Sequence, residues 1–342
     1  MTLGLMMVGH SAAAAVVENA AHAEALGFTH VWLADERFYR EVYSLLTAIA
    51  LRTRKVVVGP CVTDPYSRHP ALTAQAIYTL DEMSGQRAVF GIGAGVSGLA
   101  EIGAMQNKPV LAMREAIELV RLLASGEPVT YEGDVIKFHG GKLGFKPVRR
   151  DVPVWVAANG PLGQKMAART ADAVIMEGCG AAPEMRSLRT RTAAAAPERP
   201  VQCIARLNLS ISDDPEAARV ALRLRATRLL TSGRTRLFTL GEQRIEVPKD
   251  ALTAGGQIPY NAGFAPYEAI APVITDAMVD AVALGGTPEE LRVRVSALFA
   301  AGMDGLIVAP VPAAGHDYAS TLERFVAEVW TPVRTAHLGP SV

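Results

Sequence analysis

Val56-Val57-Val58-Gly59-Pro60, the segment Ala71–Met83, and Ala88-Val89-Phe90-Gly91-Ile92 set a pattern that recurs along the chain. The β-branched run closed by Gly-Pro reads as a short strand. The segment after it has apolar residues at helical spacing and stops at Ser84-Gly85, with glycine where helices end. The next apolar run is a strand again, and it opens into Gly91-Ile92-Gly93-Ala94-Gly95. Toward the N-terminus the alternation gives a strand over Leu3–Gly9, a helix capped by Ser11 and closed at Gly27, a strand over His30–Ala34 and a helix over Arg40–Arg52. Toward the C-terminus it gives helices over Ala112–Leu123, Leu162–Thr170, Pro183–Ala195, Pro215–Leu230, Pro288–Ala301 and Ala319–Trp330. The strands between them are Val152–Ala157, Ala173–Met176, Val201–Ile211 and Gly305–Ala309.

Eight apolar strands, each followed by a helix, close most economically into a (β/α)8 barrel. The rival is a doubly wound open sheet. It is weakened at the first strand, which ends in Gly9-His10-Ser11 rather than a G-x-G-x-x-G turn. We expect one domain over 1–342 with insertions at about 125–150, including a hairpin near Val129–Phe138, and at about 231–275.

Composition narrows the partners. The 34 Lys and Arg residues balance 34 Asp and Glu, so neither nucleic acid nor an anionic membrane surface is the expected partner. Cys61, Cys179 and Cys203 are widely spaced and form no C-x-x-C pair, so neither a disulfide framework nor a metal site is expected. No apolar run of about 18 residues is present, and the apolar N-terminus lacks a leading Lys or Arg. The expectation is a cytoplasmic protein acting on a small molecule.

In a barrel the chemistry sits at the C-terminal ends of the strands. Those ends carry His10, then Asp35-Glu36-Arg37, Cys61-Val62-Thr63-Asp64, Gly93-Ala94-Gly95, Asn159-Gly160-Pro161 and Glu177-Gly178. The fifth of these runs into a helix bearing Lys165, a geometry that favours an anion. The same residues also fit an ordinary tight turn. His10 is a candidate acid/base group, and equally a hydrogen-bonded structural residue. His69, Trp32 and Trp155 read as structural. Tyr260 and Phe264 are candidates for a substrate pocket or for exposed loop aromatics.

Three segments carry a family resemblance: Val62-Thr63-Asp64-Pro65-Tyr66-Ser67-Arg68-His69-Pro70, then Thr79-Leu80-Asp81-Glu82-Met83-Ser84-Gly85-Gln86-Arg87, then Gly91-Ile92-Gly93-Ala94-Gly95. In this order they resemble the luciferase-like monooxygenase superfamily, and within it the branch of methylenetetrahydromethanopterin reductase, which uses the deazaflavin coenzyme F420. The likeness covers most of 1–180, returns at Gly286–Ala309 and is weak across 231–275.

The resemblance implies a hydride-transferring oxidoreductase with the ring across the strand ends and a non-prolyl cis peptide at Cys61-Val62. It places Cys61, Val62 and Thr63 at the ring, Gly93, Ala94 and Gly95 beside the ring or its ribityl chain, and Ala158, Asn159, Gly160 and Pro161 at the ribityl or phosphate portion. Asp35 and Glu36 fall where relatives place an acidic residue and a histidine, so Glu36 departs from the pattern. The catalytic candidates are therefore His10, Asp35 and Glu36. Flavin mononucleotide (FMN) members often carry an arginine where this chain has Ala94, which favours coenzyme F420 over FMN. Lys165 or Arg68 could still serve an FMN phosphate. The alternatives are an FMN-dependent monooxygenase using dioxygen, a non-catalytic flavin-binding protein, and an aldolase or hydrolase on the same barrel. The resemblance further implies a homodimer built on the second and third helices.

Overall fold

The computed structural model describes residues 1–95, 97–232, 245–259 and 262–338. The fold is a (β/α)8 barrel, with parallel strands alternating with helices. The chain divides into two compact units, Gly4–Ile175 with Ala195–Val201, and Met1–Leu3, Met176–Ala194 and Gln202–Val342.

Most of the larger unit's strands are buried on both faces. They are β1 (Thr2–Met7), β2 (His30–Leu33), β3 (Val57–Pro60), β4 (Phe90–Ile92), the hairpin β5 (Val129–Glu132) and β6 (Lys137–Gly141), β7 (Val154–Ala157) and the start of β8 (Ala173–Glu177). Strand β1 pairs with β2, β2 with β3, β4 with β7 and β7 with β8, all in parallel. Bridges Val58↔Ala88 and Thr63↔Ile92 join the third strand segment to the fourth. The ring of His30 stacks on Trp32, and Trp155 packs tilted against both, with the two indole centres 4.9 Å apart.

The unit's helices are α1 (Ala13–Ala25), α2 (Val42–Arg52), α3 (Pro70–Ser84), α4 (Pro109–Leu123) and α5 (Pro161–Thr170). Helix α3 begins at the capping ring of His69 and ends at Gly85, whose φ of 68° suits a residue without a Cβ. Ser11 does not cap α1. Ala12 holds that position without a side-chain bond. Helix α2 starts two residues later than expected, because Glu41 accepts from the Ser44 N–H while Arg40 reaches back to the carbonyls of Gly9 and His10. Buried carboxylates fix the connections. Asp81 takes a forked bond from Arg149, and Glu115 accepts the N–H groups of Asp134, Val135 and Ile136 at the hairpin turn.

The smaller unit centres on β9 (Gln202–Ile211), flanked by β10 (Ala283–Gly286) and β11 (Gly305–Pro310). Strand β10 was not expected; Leu284-Gly285-Gly286 is too short and glycine-rich to register as a strand. The helices are α6 (Ala182–Ala195), α7 (Pro215–Thr231), α8 (Lys249–Gln257), α9 (Asp276–Val282), α10 (Pro288–Ala300), α11 (Tyr318–Arg324) and α12 (Thr331–Leu338). Helix α8, inside the expected insertion at about 231–275, runs through Gly255-Gly256. Gly255 is tolerated because it packs against Thr231 with no room for a Cβ. Helix α10 has the full capping box of Thr287 and Glu290. The single helix expected over Ala319–Trp330 is α11, which widens into a π-helical segment over Phe325–Trp330 and continues as α12. Leu222, Leu230, Tyr267, Ile274 and Val279 form a core beneath α7.

Candidate active site

The expected catalytic and cofactor-binding residues lie in the larger unit. The Cys61–Val62 peptide is cis. The Cys61 N–H donates to Leu33 O, the Thr63 N–H to Gly91 O and the Gly93 N–H to Thr63 O, so Cys61, Val62 and Thr63 are threaded between the ends of β2 and β4. Cys61 is buried. A Cβ on Gly93 would lie 2.5 Å from Val62 Cγ2, and one on Gly95, whose φ is +69°, would lie 2.6 Å from Asp64 Cβ. Both glycines are therefore dictated by the segment they pass. Gln106 Nε2 donates to the carbonyls of Ala94 and Gly95.

Asp35 is mostly buried and accepts from Thr63 Oγ1 at 2.7 Å. Burial raises its carboxyl above the ordinary aspartate value, while the Thr63 bond and the charges of Arg37 and Arg68 oppose that rise. The phenol of buried Tyr43 faces the same group and is pushed up by burial and by the Asp35 charge. Arg37 binds the Asp64 carboxylate and the Asp35 carbonyl, with its Nη1 also 3.5 Å from Asp35 Oδ1. Asp64 accepts in addition from the N–H groups of Tyr66 and Ser67 and from Ser67 Oγ.

Glu36 stands next to Asp35, half-buried. His10 is exposed, its ring centre 6.3 Å from that of Tyr39 and its carbonyl held by Arg40. Arg68 pairs with Glu41 at 2.9 Å and lies over the Tyr43 ring.

At the end of β7, the Ala158 N–H donates to Ile175 O. The buried Gln164 side chain donates to the carbonyls of Ala158 and Asn159. Gly160 is the N-cap of α5 and offers no side-chain cap, and Pro161 occupies the first helical position. The first turn thus receives no side-chain cap from Gly160, and Lys165, just beyond that turn, is exposed. Glu177 closes β8 and pairs with Arg206 at 3.1 Å. Tyr260 lies outside the described residues, and Phe264 lies against Arg225 and Arg228.

The sequence reading missed the Arg37–Asp64 pair and Gln164. Asp64-x-Tyr66-Ser67 has a local signature, an aspartate capping its own turn. Arg37 has none, because its partner lies 27 residues away. Among the described residues no group of three His, Cys, Asp or Glu side chains could hold a metal ion, and no helix is long and apolar enough to cross a membrane.

A family profile described as luciferase-like monooxygenase matches residues 1–305. The chain is similar to 5,10-methylenetetrahydromethanopterin reductase of Archaeoglobus fulgidus, 35% identical over 293 residues, covering 83% of this chain and 86% of that protein. It is also similar to the enzyme of the same name from Methanolobus tindarius, 30% identical over 314 residues, covering 90% and 93%. Among solved structures, the coenzyme F420 dependent tetrahydromethanopterin reductase of Methanopyrus kandleri superposes with a TM-score of 0.85, covering 97% of this chain and 99% of that one, at 22% identity. At that identity the last likeness speaks to the fold alone.

Proposed function

The chain belongs to the luciferase-like monooxygenase family, and from that premise we propose that it is a coenzyme F420-dependent oxidoreductase acting on a small organic substrate. The observation that carries this reading is the 35% identity to a methylenetetrahydromethanopterin reductase over most of both chains. The residues present fit such a cofactor. Small residues line the strand ends at Gly93, Ala94, Gly95 and Ala158, and the uncapped start of α5 offers N–H donors to an anionic tail.

When bound, the deazaflavin supplies a two-electron hydride donor or acceptor. The protein supplies position and proton control. In our reading Cys61, Val62 and Thr63 back the ring, and Gly93, Ala94 and Gly95 flank it. Ala158, Asn159, Gly160 and Pro161 take the ribityl chain and phosphate. Asp35 is the acid/base candidate best supported by geometry: its Oδ2 is oriented by Thr63 Oγ1, and its burial favours the protonated form. Glu36 is its neighbour at the same strand end, and His10 is kept as a substrate-facing residue. We further propose a cytoplasmic homodimer of single-domain subunits pairing through α2 and α3, helices that carry exposed Leu51, Leu72 and Met83.

The test is an absorbance titration with coenzyme F420 and, separately, with FMN. Saturable binding of the deazaflavin alone is the expected result. Saturable binding of FMN alone would replace this reading with the monooxygenase. Binding of neither would remove the cofactor assignment, and binding without turnover on a substrate panel would leave a silent binder.

A further inference from the structure

The smaller unit holds a basic cluster that the cofactor reading does not use. Helix α7 presents Arg225 and Arg228 three residues apart, hence on one face. Both guanidinium groups lie over the ring of Phe264, at 4.7 Å and 5.4 Å from its centre. The neighbouring side chains Leu222, Ala226 and Leu229 are buried in the core beneath the helix, which fixes the two arginines beside it.

Arg206 on β9 is a third cation whose charge acts on Arg225. Cys203 Sγ lies 3.3 Å from Thr192 Oγ1 of α6, so odd positions of β9 face the helices. By strand alternation Arg206 points to the opposite face, where it meets Glu177 at the end of β8. That is the end of a barrel strand at which ligands are handled.

Arg225 differs from four other arginines of this unit. Arg219, Arg223, Arg294 and Arg324 each pair with at least one carboxylate. Among the described residues no carboxylate pairs with Arg225, although it is partly buried. Burial, and then the charges of Arg206, which is itself paired with Glu177, and of Arg228, lower its pKa. A desolvated cation among like charges is unfavourable unless an anion completes it. The Phe264 ring lies against the guanidinium, a planar fork of N–H donors that can take a phosphate or carboxylate with two parallel bonds.

We propose that Arg225, flanked by Arg228 and Arg206 and backed by Phe264, is a binding subsite for an oxyanion, a phosphate or carboxylate group of the substrate or of the cofactor tail. Only the words substrate and cofactor rest on the oxidoreductase reading. The oxyanion site itself is tested without turnover.

The experiment is a calorimetric titration of inorganic phosphate into the full chain at low ionic strength, comparing wild type with Arg225→Gln and Arg225→Lys. Wild type binds one phosphate saturably. Arg225→Gln weakens that binding about tenfold or more, Arg225→Lys less, and the melting temperature of Arg225→Gln does not fall, since a like-charge contact has been removed. Titrations of coenzyme F420, and of the deazaflavin riboside lacking its anionic tail, assign the source. Loss confined to the full cofactor assigns the tail, and unchanged binding of both forms assigns the substrate. Non-saturable phosphate binding, or equal phosphate affinity in wild type and Arg225→Gln, overturns the proposal. A fall in melting temperature without a change in phosphate affinity would reduce Arg225 to a clamp on Phe264.

Discussion

The strand ends of the larger unit and the arginine cluster of the smaller one handle buried charge in opposite ways. In the larger unit, Asp35 and Asp64 are both deeply placed, and both are answered from within the chain, Asp35 by Thr63 and Arg37, Asp64 by Arg37, Tyr66 and Ser67. In the smaller unit, half-buried Arg225 lies with Arg228 over an aromatic ring, and among the described residues no carboxylate pairs with it. The first arrangement is complete as folded and serves to hold an acid in place. The second is incomplete and describes a ligand by what it lacks. A buried charge is thus informative about binding when its partners are counted, since burial alone does not distinguish the two cases.

The largest expected effect tests the complete side. Asp35→Asn keeps the shape and the Thr63 bond but removes the titratable proton. Turnover with coenzyme F420 should fall by about 10²–10⁴-fold with cofactor affinity little changed, as read from steady-state rates beside an absorbance titration. Turnover within threefold of wild type would take Asp35 out of the chemistry.

Next comes Arg37→Met, which leaves two neighbouring carboxylates without their shared cation. Urea unfolding at neutral pH should show a loss of about 3–5 kcal/mol. A loss under about 1 kcal/mol would mean that solvent already neutralises this network, and the contrast with Arg225 would disappear.

His30 sharpens the contrast from a third direction, because its buried ring avoids charge altogether. Burial lowers its pKa to about 4 from 6.5. Its folded form is therefore the neutral one. The stability this represents, up to about 3 kcal/mol, is present above pH 6.5 and is lost as the pH falls from 6.5 toward 4. Denaturation curves across that window should flatten in His30→Phe, and an unchanged slope would mean that the ring charges without cost.

The smallest effect is at α5. Gly160→Asp supplies the missing side-chain cap, so melting temperature should hold or rise, while repulsion weakens deazaflavin binding by about tenfold. Unchanged affinity would separate this loop from the cofactor.

Much of the architecture was visible in the chain as written. Apolar runs such as Val56-Val57-Val58 and turns such as Ser84-Gly85 act over a few residues, so strands and helix ends in the first half were located to within a few positions. The cis peptide at Cys61-Val62 followed from the family resemblance, and the structure has it. Strand β10 and helix α8 were not visible, because each is stabilised by contacts from outside its own sequence, β10 by pairing with β9 and Gly255 by Thr231.

By itself, then, the order of residues determined the alternation of elements, the glycines at strand ends and the placement of Asp35, Thr63 and Gly160 at those ends, since these depend on local periodicity and backbone freedom. Tertiary structure alone decided which charges are answered. Arg37 finds Asp64 27 positions away, and Arg225 and Arg228 share the ring of Phe264, more than thirty positions along the chain. Electrostatic and desolvation energies depend on distances through space, and a linear pattern carries no measure of those.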